Sequence, residues 1–128
     1  MSEALLPDHD PEALAKAVLA AFGETRDPAG PASVLFGVAS GRFAGSLGSP
    51  EHLADVLANP VWRPLLGHAA CAFQAFERLG DAVRVQVDVT PHEGVGVTSY
   101  LLSMRAVETE GVSRWRVTGL VPADRLDV

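Results

Sequence analysis

The sequence predicts an α+β domain in which N-terminal helices pack on one curved antiparallel sheet. Two observations carry that expectation. In the back half, VRVQVDVT (83–90), VGVTSYLLSMRAV (95–107) and SRWRVTGLV (113–121) alternate apolar and polar residues, the period of strands with one buried face. In the front half, apolar residues recur at helical spacing behind recognisable start signals.

Residues 1–9 read as a loose leader, and 10–128 as one domain. Asp10 and Pro11 place a side-chain acceptor at an N-cap and a proline at the first helical position. Leu14, Ala17, Val18, Ala21 and Phe22 then form one apolar face, which Gly23 ends. A second helix is expected from about Pro31 to Ser40, with Val34, Leu35 and Val38 on one side. GRFAGSLGS (41–49) reads as a glycine- and serine-rich loop. Ser49 and Pro50 repeat the cap-plus-proline signal, and Leu53, Val56 and Leu57 supply the third helix's stripe before Asn59-Pro60. VWRPLLG (61–67) is a connector anchored by Trp62, Leu65 and Leu66. HAACAFQAFERL (68–79) fits helix or strand; it is read as a strand because Gly80-Asp81 makes a two-residue turn into clear alternation.

The expected turns set a register. A turn at Pro91 to Gly94 pairs Thr90 with Val95 and puts Val85 opposite Tyr100. A loop at Glu108 to Gly111 pairs Val107 with Val112 and puts Met104 opposite Trp115. The Gly80-Asp81 turn puts Phe76 opposite Val85 and Glu77 opposite Arg84. One face then collects Gln74, Phe76, Val83, Val85, Val87, Tyr100, Leu102, Met104, Trp115, Val117 and Val121. The other collects Glu77, Arg84, Gln86, Asp88, Ser99, Ser103, Arg105, Arg114, Arg116 and Thr118, with Leu101 and Leu120 among them. Three turns agreeing on the faces is itself evidence, because a one-residue slip would invert a whole strand.

Composition removes several classes. The chain has 128 residues and is 48% hydrophobic, enough for an ordinary core. No apolar run approaches the roughly 18 residues of a membrane span, and MSEALLPDHDPEAL lacks the basic start of a signal peptide. The expected compartment is the cytoplasm. A single cysteine, Cys71, excludes a disulfide framework. The net charge of −6 with scattered arginines gives no electrostatic footprint for nucleic acid, even at Arg114-Trp115-Arg116. No histidine pair has metal-ligand spacing with an acid, so no metal and no cofactor are expected.

FGVASGRFAGSLGSPEHLADVL, SYLLSMR and WRVTGLVP, taken with the order of elements across about 10–122, resemble the nuclear-transport-factor-2-like superfamily, and most closely an uncharacterised bacterial domain family of that cystatin-like fold. The resemblance implies that the antiparallel sheet is strongly curved and cone-shaped and, since relatives commonly dimerise through the outer sheet face, that the protein is a homodimer. That superfamily holds isomerases, dehydratases and non-catalytic binding modules, so fold alone leaves activity open.

An isomerase of this kind pairs a carboxylate base with a tyrosine. Tyr100 has the right parity, but Asp88 falls on the opposite face. A dehydratase would want a histidine with an acid; His68 could meet Asp55 or Glu51, or simply bond a loop carbonyl. Ser40 and Arg42 flank Gly41 without phosphate-loop spacing. The expected ligand pocket is lined by Phe36, Arg42, Trp62, Gln74, Phe76, Tyr100, Met104 and Trp115, open to a small hydrophobic ligand or filled by those side chains. The expected dimer face carries Arg84, Leu101, Ser103, Arg116 and Leu120, an apolar centre with a polar rim. The leading expectation is a non-catalytic binding or structural homodimer; the alternative is a lyase or isomerase using Tyr100 and His68.

Overall fold

Helix α1 (Pro11–Gly23) begins where Pro11 presets the helical backbone, and it buries Leu14, Val18, Leu19 and Phe22. Asp10 occupies the N-cap, but its side chain makes no capping hydrogen bond. The computed structural model describes residues 9–92 and 96–123. Most of the expected leader therefore lies outside the described residues, as does Val95 of the expected Thr90–Val95 pair.

Helix α2 (Ala29–Val38) starts two residues earlier than Pro31 because the Asp27 carboxylate accepts a hydrogen bond from the Ala29 N–H at 3.0 Å. It stops at Val38 because Ala39 turns to extended backbone. The expected loop at 41–49 is mostly a helix, α3 (Gly41–Leu47). Its glycines cost roughly 0.5–1 kcal/mol each relative to alanine. Ser40 Oγ offsets part of this by accepting from the Phe43 N–H at 3.2 Å, and Phe43 and Leu47, four apart, pack on the core. Gly48, at φ 87°, ends the turn. Helix α4 (Pro50–Leu57) follows, with Ser49 Oγ accepting from the His52 N–H at 3.1 Å and Leu53 and Leu57 buried.

Strands β1 (Ala70–Leu79), β2 (Ala82–Thr90), β3 (Thr98–Thr109) and β4 (Val112–Pro122) form one antiparallel sheet in the order β1-β2-β3-β4. A parallel bridge joins Ala39 to Val117 at the outer edge of β4, where the Ser40 N–H donates to the Val117 carbonyl at 2.8 Å. Helices on one sheet make this an α+β fold.

The Gly80-Asp81 turn sets Phe76 opposite Val85 and Glu77 opposite Arg84, as its length dictates. The next two hairpins are each displaced by two residues from the expected register. Val85 faces Leu102 and Val87 faces Tyr100, because the β2–β3 connection is longer than four residues. Val117 faces Met104 and Trp115 faces Ala106. Here Thr109 pairs with Val112 across a two-residue turn at Glu110 (φ 54°) and Gly111 (φ 79°), the paired positive φ of a type I′ turn. Even displacements leave every side chain on its expected face.

Two bulges do change faces. Between Phe73 and Phe76 β1 carries an extra residue, so Phe73 opposes Val87 where Gln74 was expected. Gln74 consequently leaves the helix side and donates to Asp88 on the open face. In β4 a bulge opposite Ser103/Met104 inserts one residue after Val117. Leu120 turns into the core at 7% exposure and Val121 turns out at 42%, reversing the expected places of both.

The core lies between helices and sheet, and joins Leu14, Val18, Phe22, Leu35 and Val38 to Val85, Val87, Leu102, Met104 and Val117.

Candidate functional site

Chemistry-bearing side chains gather in two places, the interior around Tyr100 and the sheet face that no described helix covers.

Tyr100 is completely buried. Its hydroxyl donates to the Val61 carbonyl at 2.8 Å, and its ring stacks on Trp62 with centroids 5.7 Å apart and planes 21° apart. The connector before β1 thus lies across the phenol and uses its donor. Met104 is buried to 1% and Trp115 to 6%, with the Arg78 guanidinium 5.3 Å over the indole ring. Phe76 is half-buried against Phe73, and Phe36 packs on the edge of the core. Beside Trp62 lies a cleft of about 60 Å³ bordered by Leu35, Phe43, Leu53 and Leu120. Small-molecule pockets begin at roughly 300 Å³. Of the predicted lining residues, Trp62 borders this cleft; Arg42 and Met104 border a separate groove, and Gln74 is on the other face.

His68 sits between η1, a single 3-10 turn (Arg63–Leu65), and β1. Its Nδ1 is 2.8 Å from the Leu65 carbonyl, so that nitrogen carries the proton and donates. The ring lies against Gly23, where a Cβ would come within 3.0 Å of Cε1 and Nε2. Its partner is a backbone carbonyl, while Glu51 and Asp55 are exposed on α4. The half-buried Cys71 thiol is pushed up by desolvation, away from the reactive thiolate. Among the described residues no group of three or more His, Cys, Asp or Glu side chains could hold a metal ion.

The open face is organised around Asp88. Ser99 Oγ donates to Oδ1 at 2.7 Å, Gln86 Nε2 to Oδ1 at 3.0 Å, and Gln74 Nε2 to Oδ2 at 2.7 Å. The hydrogen bonds from Gln86 and Ser99, with a smaller one from Gln74, hold this carboxyl below the usual aspartate value against slight desolvation. The β1 bulge brings Gln74 into this network, a contact strict alternation could not reveal. Beside it Leu101 is half-buried and lies directly opposite the exposed Val121. Toward the other end of the strands Arg84 pairs with Glu77 at 2.8 Å, and Arg105 lies opposite Arg116. Ser103 sits between Arg84 and Gly119. A groove of about 640 Å³ runs from this basic end to α3, bordered by Ser40, Arg42, Glu77, Arg84, Ser103 and Arg105.

No family model, no curated protein and no solved structure matches this chain. Among the described residues no helix is long and apolar enough to cross a membrane.

Proposed function

We propose that this chain is a non-catalytic interaction domain of the nuclear-transport-factor-2-like kind that forms a homodimer through its open sheet face. The observation that carries the reading is that this face exposes a satisfied acidic site at one end, basic side chains at the other and an apolar pair, Leu101 and Val121, between them. The helices-then-sheet order, the two strand bulges and the Ala39 bridge support the kinship and its cone.

A two-fold axis in the plane of the interface, perpendicular to the strands, exchanges the ends of the face. Asp88 of one copy then lies over Arg105 and Arg116 of the other, about 20 Å along β3 from its own. Four strands at about 4.8 Å spacing and about 30 Å length offer about 600 Å² per copy. The total of about 1,200 Å² is the lower end of stable interfaces, so the dimer is expected to dissociate at micromolar concentration.

The interior supports the non-catalytic part of the reading. Tyr100 spends its proton on Val61, and His68 spends its own on Leu65. A small hydrophobic ligand would have to enlarge the cleft beside Trp62, and a lyase or isomerase would also have to free the Tyr100 hydroxyl.

Sedimentation velocity across the micromolar range tests the dimer. The wild type should shift from monomer to dimer, high salt should weaken it, and Leu101→Arg should hold it monomeric with an unchanged circular dichroism spectrum. A wild type that stays monomeric throughout overturns the proposal.

A further inference from the structure

Away from the open sheet face lies a second groove of about 620 Å³, where the α1–α2 turn, the end of α4, the 3-10 turn and the β2–β3 connection meet. Arg26, Arg63 and His92 border it, and among the described residues no acidic side chain does. That is unusual ground for a chain of net charge −6.

The two arginine side chains are placed by different means. Arg63 Nη2 donates to the Ala58 carbonyl at the C-terminal end of α4, at 3.3 Å. The Arg26 stem crosses Gly67, so closely that a Cβ there would fall 2.5 Å from Arg26 Cγ. Gly67, at φ 63°, is in turn tied down by its N–H, which donates to the Phe22 carbonyl at 2.8 Å. The walls are equally constrained: Pro28, Pro60, Pro64 and Pro91 border the groove, with Leu66 beneath. Each proline ring locks one backbone torsion and brings no N–H that a ligand must satisfy.

We infer that this groove binds a small organic oxyanion, a carboxylate or a phosphate monoester, carrying an apolar body. Arginine presents a planar fork of donors that matches such an anion bidentately. The proline rings and Leu66 provide apolar contact for the rest of the molecule, and their rigidity lowers the ordering cost of binding. None of these residues belongs to the dimer face, so the site operates in monomer and dimer alike.

The test is titration of the full chain with benzoate and with phenyl phosphate, read by amide chemical shifts and by calorimetry at constant ionic strength. Saturable binding that shifts the amides of Arg26, Arg63 and Leu66 is expected, with each of Arg26→Gln and Arg63→Gln weakening it at least tenfold. The tighter of the two probes identifies which anion the site takes. Absence of saturable binding by either probe, or affinity unchanged in both variants, overturns the inference. Should a variant fail to fold, the wild-type shifts decide: perturbation confined to other surfaces overturns it equally. Leu101→Arg should bind both probes normally, which separates this result from the fate of the dimer.

Discussion

Replacing Tyr100 by phenylalanine removes one oxygen from the interior and leaves everything else in place. The ring keeps its stack on Trp62 and its complete burial, so packing is conserved. The loss includes the 2.8 Å hydrogen bond to the Val61 carbonyl. A neutral hydrogen bond contributes about 1 kcal/mol net, and a carbonyl left without this partner raises the cost toward about 2 kcal/mol. For a domain of this size that is a fall in Tm of about 4–8 °C. Urea unfolding followed by fluorescence and circular dichroism should show a lower midpoint at constant m, since no additional surface becomes exposed in either state. Tyr100→Ala, which also empties the stack, should cost about 3–5 kcal/mol. A Tyr100→Phe protein as stable as wild type would refute the reasoning. It would mean that the hydroxyl is not committed to the backbone, and the enzymatic reading would regain its proton donor.

The other expectations concern caps, a turn and a carboxylate. Ser49→Ala should destabilise by about 1 kcal/mol because its hydroxyl caps α4, whereas Asp10→Ala should cost clearly less, since that side chain makes no capping bond; equal losses in urea would contradict the structure. Glu110 holds φ 54° at the first position of a type I′ turn, so Glu110→Asn should stabilise by about 0.5–1 kcal/mol, and a lower thermal midpoint would argue against that turn. Asp88, held below its ordinary value by Gln86, Ser99 and Gln74, contributes stability that is present above the unfolded-state value of about 4 and is lost as pH falls through the lower folded value. A carbon-detected NMR titration should find its midpoint below the ordinary aspartate value, and Asp88→Asn should flatten the acid limb of stability against pH; a midpoint at the ordinary value would count against the three-donor network.

Which parts of this structure could be read from the residues follows from what alternation measures. Period-two patterning reports the face of a side chain and nothing about displacement by an even number, so Tyr100, Met104 and Trp115 could be placed inside while their cross-strand partners were each off by two. The displacement at β3–β4 traces to one fact: Glu110-Gly111 forms a two-residue turn although glutamate is a poor left-handed residue. The bulges invert faces instead, and so misplaced Gln74, Leu120 and Val121. Gly119 inside the β4 run was the available signal for one of them; nothing comparable marks Gln74. Helix α3 was hidden by Gly41 and Gly45, while the Ser40 cap and the Phe43/Leu47 spacing that form it were present. At the site, Tyr100 was visible as a polar group of the right parity and His68 as a histidine just ahead of the first strand. Their carbonyl partners, Leu65 and Val61, belong to an irregular connector that no periodicity describes.

The bond from the Ser40 N–H to the Val117 carbonyl has a consequence for what this sheet can join. An exposed strand edge is a template for uncontrolled growth into larger sheets. On β4 the α2–α3 connection takes a ladder position midway along that edge, so an incoming strand finds its run of partners interrupted at Val117. On the far side β1 is broken by its own bulge between Phe73 and Phe76, which spoils the regular spacing an added strand would require. Both margins are thereby interrupted, which disfavours amyloid-like extension of these valine-rich strands.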